Sequence, residues 1–460
     1  VLSNIRRYCG TLFLISYHPY LDVMRCYTGF IVNPLPRSLH HSAYQLAYIP
    51  DGAMVVSDTG KILFVGTDDE ARAQFPASAL HSFPEGTLLM PGLVDTHVHL
   101  PQYEAAAIGT GELLDWLNTY IFPLEVRFAD DTYAREKSAR FFRDALSLGT
   151  TTMSVYCSSQ RNAAERAFEA AFEAGIRVCM GKTMMDFGAP ENILFSAQEN
   201  IEDSLAVAKL WHEKDGGRLQ YTLTPRFAGS CSRELLRRTG DVARAEGLRI
   251  QTHLSENPSE LRYIAELFPE YSSYTDVYFA NGILTERTIM AHSIYLSEQE
   301  KSLLKAHQCS LSHCPCSNRF LQSGVMALRK NMREGFKIGL GSDVAGGYSL
   351  SILNEAKEAA ESSKTWNILH RGEEVPAVSA QETLWLATLG GAEALGLDSI
   401  IGNFTVGKEA DFIAVAGSDT FPHYSSFDAP SERIARLVYG AHRDTVFATF
   451  VRGKQVFTRS

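Results

Sequence analysis

A chain of 460 residues, 45% hydrophobic and 21% charged, is too long for one ordinary domain and suits one large α/β unit carrying a small module. Its net charge of −10 gives no general attraction to nucleic acid or to an anionic membrane, so neither is expected as a partner. No apolar run reaches the roughly 18 residues of a membrane helix, and eight Cys without a disulfide-like framework point to a reducing compartment, the cytoplasm.

In chain order, residues 1–27 carry Arg6-Arg7 and then Leu12-Phe13-Leu14-Ile15. That only loosely follows a signal peptide, because the apolar run is short and His18 and Pro19 interrupt it. It reads as a cytoplasmic extension or an uncertain start. Residues 28–35 and 43–66 look like short strands, with Asp58-Thr59-Gly60-Lys61 closing a hairpin. The other end has the same texture. Asp411 to Val415 and Val446 to Val451 read as strands, and Arg452-Gly453-Lys454 as a turn before Gln455-Val456-Phe457. Residues 28–90 and 403–460 are therefore expected to build one small β-sandwich from both chain ends.

Residues 91–402 alternate strand and helix. Candidate strands lie at 90–99, 150–156, 177–185, 220–227, 248–255, 288–295, 308–314 and 336–342, with helices such as 132–148, 161–174, 198–213 and 232–246 between them. Eight strands in this pattern argue for a closed parallel, TIM-like (β/α)8 barrel. A doubly wound sheet is the alternative, but no Gly-x-Gly-x-x-Gly follows the first strand. Barrels of this kind carry their catalytic residues at the C-terminal ends of strands.

The apolar run Met90 to Val94 ends in His97-Val98-His99. Residues two apart on a strand point to the same side, so both imidazoles aim at one place. They are either half of a metal site or strand histidines that bond loops. The fifth strand ends in His253 with Glu256 just beyond, although Ser255-Glu256-Asn257-Pro258 also reads as a helix start. The sixth ends in His292. The eighth runs into Gly341-Ser342-Asp343-Val344-Ala345-Gly346-Gly347, where Asp343 is either functional or an ordinary turn residue. Five such residues at the ends of four strands argue for one shared cavity.

Further motifs join these: Pro101-Gln102-Tyr103, Trp116-Leu117-Asn118 with Phe122-Pro123, Thr224-Pro225-Arg226-Phe227, His253-Leu254-Ser255-Glu256-Asn257, His313-Cys314-Pro315 with Ser317-Asn318, and Ala387-Thr388-Leu389-Gly390-Gly391. Together they resemble the amidohydrolase superfamily and, within it, the guanine deaminase family, from about residue 50 to the end. Residues 1–45 do not obviously match. Gln160 stands where some relatives are expected to carry His. The resemblance implies a zinc-dependent hydrolase that converts a small purine, guanine, to xanthine and ammonia. His97, His99, His253 and Asp343 would hold one zinc per chain, with His292 orienting water or acting as a further ligand. Zinc lowers the pKa of bound water from about 15.7 toward about 7. Asp343 would accept the water's proton, and Glu256 would protonate the purine ring and help expel ammonia. His99, His253, Glu256 and Asp343 would also face the substrate. Arg226 would offer donors to O6 and N7, Gln102 would pair an amide-like edge, and Phe227 would pack on the ring. Segment 104–122, with Trp116 and Phe122, would fold over the pocket. A homodimer is expected on the same ground.

Two-metal amidohydrolases bridge their ions with a carboxylated Lys at the end of strand four. Here that strand ends in Thr224-Pro225-Arg226-Phe227, and Lys182 reads as structural, so one metal is favoured. The nucleic-acid deaminase pattern His-x-Glu with Pro-Cys-x-x-Cys is absent, and Cys314-Pro315-Cys316 has nothing nearby to complete a thiolate site. Two other readings remain: an amidohydrolase acting on 8-oxoguanine or a triazine, and a metal-free scaffold protein.

Overall fold

A computed structural model describes residues 24–37, 44–109, 113–415 and 429–459. Most of the N-terminal segment considered above, residues 1–23, lies outside them.

The centre is a parallel barrel. Its strands are Leu93–His99, Thr150–Tyr156, Arg177–Gly181, Leu219–Pro225, Arg249–Leu254, Thr288–His292, Ser310–His313 and Ile338–Leu340, each paired in parallel with the next in this order. A two-residue continuation of the third, Thr183–Met184, pairs with the fourth. Nearly every strand residue is buried, as expected where helices cover a parallel sheet. The covering helices include Asp131–Ser147, Arg161–Ala174, Ala197–Trp211 and Arg233–Glu246. Arg161–Ala174 turns Ala164, Ala167, Phe168 and Ala171 inward at helical spacing and stops at Gly175, whose φ of 76° is the left-handed cap that glycine adopts freely.

No ladder joins the eighth strand to the first among the described residues. The loop after the eighth strand closes the seam instead. Asp343 N donates to His97 O (2.8 Å), and His99 N donates to Val344 O (3.1 Å). The Asp95 carboxylate takes Ser342 N at 3.0 Å and Ser342 Oγ at 2.5 Å.

The chain ends form a second, eight-stranded sheet. Strands Phe412–Val415, Val446–Val451 and Lys454–Thr458 from the C-terminal side join Arg25–Pro34, Leu46–Val56, Ile62–Thr67, Ala79–Ser82 and Leu88–Pro91. The hairpin after Val56 is present, with Ser57 N donating to Lys61 O at 2.9 Å. This sheet encloses its own aromatic core of Tyr27, Phe404, Phe412 and Phe450. The single strand expected over 90–99 is two strands. Leu88–Pro91 pairs with Phe412–Val415 in the end sheet, and the barrel begins at Leu93. Gly92 makes the junction, because a Cβ there would lie 2.0 Å from Thr151 Oγ1.

A buried ion cluster ties the two units. Arg177, on the third barrel strand, donates through Nε to Asp411 Oδ2 (3.0 Å) and through Nη2 to Glu409, which also accepts from Arg452 Nε (2.7 Å). Burial alone would raise the Glu409 carboxyl, but Arg177 and Arg452 outweigh it and hold it at about 2 instead of 4.5. A depressed carboxyl adds stability above its unfolded value that disappears as pH falls through the folded one. On the order of 3 kcal/mol is therefore expected to vanish between about pH 4.5 and 2. Acid titration of the unfolding free energy measures this. A slope in Arg177→Met as steep as that of the wild type defeats the assignment.

Candidate active site

The strand-end histidines and Asp343 converge. The ligand atoms of His97, His253, His292 and Asp343 all lie within 4.8 Å of one another. His99 Nε2 adjoins them, 3.2 Å from His253 Nε2 and 3.3 Å from Asp343 Oδ1. The backbone sets these directions. His292 and Asp343 take φ of 63° and 46°, the left-handed region that side chains with a Cβ rarely adopt, which swings both out of strand geometry toward the cavity.

Hydrogen bonds choose the face each imidazole offers. His253 Nδ1 donates to Arg226 O (2.6 Å) and His292 Nδ1 to Asn318 Oδ1 (2.8 Å), so each ring turns the lone pair of Nε2 inward. Burial, reinforced by the neighbouring rings, holds His253 well below the usual histidine range. Burial likewise depresses His99, to about 3, and lowers His97. His97 Nε2 sits 3.0 Å from Asp343 Oδ1, yet neither it nor His292 Nε2 has a hydrogen bond of proper direction, although both are buried. Buried imidazole nitrogens turned inward, two of them without a hydrogen bond and all beside a carboxylate, fit the donor set of a metal ion. Among the described residues no other group of His, Cys, Asp or Glu converges in this way. Cys316 Sγ instead meets Asn354 Nδ2 at 3.1 Å, and burial pushes the Cys314 thiol well up.

Two carboxylates flank His292. Glu256 Oε2 lies 3.4 Å and Asp343 Oδ2 3.7 Å from His292 Nε2. Burial and the charge of Asp343 raise the Glu256 carboxyl to about 8, and Ser323 Oγ donates to its Oε1 at 3.0 Å. Asp343 goes the other way. Burial opposes its ionisation, but His97, His99 and His292 outweigh that and hold it well below the usual range. The helix-start reading of 255–258 is right about the helix and wrong about the carboxylate. Asn257 caps Pro258–Leu267, and Glu260 closes the capping box while accepting from Glu256 N at 2.8 Å. Glu256 stays turned to the cavity.

That cavity, about 440 Å³ of open space, is lined by His99, Gln102, Trp116, Arg226, Phe227, His253, Glu256 and Asp343, so every substrate-side residue expected from the sequence reaches it. Leu113, Trp116 and Leu117 come from the covering segment, which Trp116 Nε1 pins to Ile108 O at 2.9 Å. Gln160 does not line it; its Nε2 donates to Asn192 O at 2.9 Å. Lys182 is buried against Asn200 Oδ1 at 2.7 Å, in keeping with a structural role.

The sequence reading missed several groups. Glu125, from the helix Phe122–Arg127, accepts Arg226 Nη1 on both oxygens (2.9 and 2.8 Å) and Gln102 Nε2 on Oε1 (3.2 Å). Asn318 was visible only as part of a motif, and Ser323 not at all. Tyr156 packs its ring within 4.6 Å of His99 and 4.8 Å of His97, centroid to centroid.

A model of the Amidohydrolase family matches residues 88–456. The chain is 34% identical over 429 residues to a guanine deaminase of Escherichia coli, covering 91% of this chain and 94% of that one. It is 36% identical over 420 residues to the guanine deaminase of Mus musculus, covering 88% and 92%. The chain belongs to the amidohydrolase family, on its guanine deaminase branch. The fold agrees. The structure of a guanine deaminase from C. acetobutylicum with bound guanine in its active site superimposes with a TM-score of 0.86 at 27% identity, over 94% of this amidohydrolase and all of that chain.

Proposed function

We propose that this amidohydrolase converts guanine and water to xanthine and ammonia. The observation that carries the reading is the pair of buried carboxylates that meet His292 Nε2, Glu256 at 3.4 Å with its carboxyl pushed up and Asp343 at 3.7 Å with its carboxyl pushed down, opening on a pocket walled by Arg226 and Gln102. Two titratable groups pushed apart in this way suit a base and an acid.

His97, His99, His253 and Asp343, joined by His292, are the residues that would hold one zinc ion. Zinc, when bound, supplies Lewis acidity that lowers the pKa of water at the site toward about 7. Asp343 Oδ2 accepts the proton that the attacking water gives up. Glu256 Oε2 delivers a proton to N3 as C2 is attacked and takes back the hydroxyl proton as the C2 carbonyl forms, while the proton held by Asp343 passes to the amino group, which leaves as ammonia. Arg226 donates to O6, Gln102 meets the adjoining edge, and Phe227 packs on the ring. Trp116 and its segment exclude bulk water. Adenine, with its amino group on C6, has nothing to release when C2 is the carbon attacked.

Incubating the zinc-loaded protein with guanine, adenine, guanosine, cytosine and 8-oxoguanine, and measuring ammonia from each, tests the assignment. Guanine is expected to lead. Faster release from 8-oxoguanine or adenine overturns it.

One zinc per chain is expected because the fourth strand ends at Pro225, is followed by Arg226 and offers no bridging Lys. Elemental analysis that finds two ions, or full activity with none, rules this out. Assembly as a homodimer belongs to the same reading and rests on the family resemblance, and a cytoplasmic location rests on eight Cys without a disulfide-like framework. No helix among the described residues is long and apolar enough to cross a membrane.

A further inference from the structure

We infer that Glu125 is a positioning residue that sets the selectivity of the pocket by fixing which atoms Gln102 and Arg226 turn toward the substrate. The inference rests on the functional reading above and goes one step beyond it.

Glu125 is 3% exposed, and a carboxylate so buried must be paired to be tolerated. Both of its oxygens engage one nitrogen of Arg226, Nη1. Among the described residues no hydrogen bond occupies Nε or Nη2 of Arg226, which lines the cavity. Glu125 therefore anchors one prong of the guanidinium and leaves the remaining donors for a ligand acceptor.

The effect on Gln102 is sharper. A side-chain amide can point either way, and its neighbours decide. An ionised carboxylate only accepts, so Gln102 must show it the NH2 group, and Nε2 donates to Glu125 Oε1 at 3.2 Å. On the other side Ala345 N faces Gln102 Oε1 at 3.4 Å, which requires the same orientation. Gln102 thus has its orientation fixed from both sides, and its oxygen keeps a second lone pair to offer a ligand. An acceptor beside the Arg226 donors matches a ring edge with a donor next to an acceptor, the N1–H and O6 of a lactam. A ring with an unprotonated N1 and no oxygen would face Gln102 acceptor to acceptor.

Glu125 lies just beyond the segment proposed to cover the pocket, in the helix directly after Leu117–Ile121.

Guanine and 2-aminopurine separate this from a general structural role. Both carry the amino group on C2, but 2-aminopurine lacks O6 and the N1 proton. Glu125→Gln keeps the shape but can bring an NH2 group to Gln102, so that only the long 3.4 Å contact from Ala345 N still favours the present orientation and Gln102 can turn its own NH2 toward N1. The ratio of kcat/KM for guanine over 2-aminopurine is expected to fall about tenfold or more. Glu125→Asp, still acceptor-only, is expected to keep the ratio within about threefold of wild type. Loss of stability alone lowers both substrates together and leaves the ratio in place. A ratio unmoved in Glu125→Gln, or moved equally in both variants, overturns the inference. If Glu125→Gln does not fold, Gln102→Met carries the test. It leaves the Glu125–Arg226 pair intact and removes the group being oriented, so the ratio is expected to fall about tenfold; an unchanged ratio overturns the inference. Wild-type protein that releases no ammonia from guanine overturns the functional reading itself, whereas active wild type with an unmoved ratio overturns only the role of Glu125.

Discussion

Glu256→Gln is expected to lower turnover of guanine by about 10² to 10⁴ while the protein keeps its metal, since that is the usual worth of a positioned acid–base group. The change preserves the shape of a side chain that is 3% exposed. It also keeps an oxygen for Ser323 Oγ, which donates to Glu256 Oε1 at 3.0 Å. What it removes is a proton that can be given up and taken back. The capping of Pro258–Leu267 belongs to Asn257 and Glu260, so the helix does not depend on Glu256, and the thermal midpoint should change little. Metal content and midpoint close to wild type with turnover within a few-fold would mean that the proton comes from elsewhere.

Arg226→Ala is expected to lose guanine use and fold stability together. From the sequence alone its cost falls on the substrate, through an acceptor left without its donor, at about 1–3 kcal/mol. The pairing with Glu125 changes that. Removing one partner of a buried pair strands the other charge, at about 3–5 kcal/mol. Adding Glu125→Gln to Arg226→Ala should then restore much of the midpoint and none of the guanine activity. A double variant as unstable as Arg226→Ala would show that the stability loss has another source.

The barrel could be read from the sequence because its strands are apolar runs broken by helical periodicity, and the four longest helices between successive barrel strands fall where that periodicity puts them. The boundaries were harder. The strand at 336–342 shrinks to Ile338–Leu340, because the chain leaves the sheet early to build the loop that carries Asp343. The strand at 90–99 splits because one extended run serves two sheets, and only the close approach of Thr151 to Gly92 reveals where they part. In the site, His97, His99, His253, His292 and Asp343 stood out because ligand-type residues ended apolar runs. Glu125 could not. It lies in Pro123-Leu124-Glu125-Val126-Arg127, which reads as an ordinary half-exposed helix, and Arg226 is 101 positions away. Asn318 acts through Oδ1 on His292, 26 positions back in the chain, and no local pattern announces such a bond.

The barrel seam has a consequence for how the protein breathes. His97 and Asp343 lend their side chains to the proposed metal centre and their main chains to one of the two backbone bonds that stitch the first barrel strand to the loop beyond the eighth among the described residues. Any ligand gripped jointly by those two side chains also clamps the stitch, and its binding energy is added to the work of parting the barrel there. Opening at this line should therefore be the most ligand-sensitive of the local unfolding events. The amides of Asp343 and His99, slow to exchange with deuterium when the centre is filled and quicker after chelation, would report occupancy from the backbone itself.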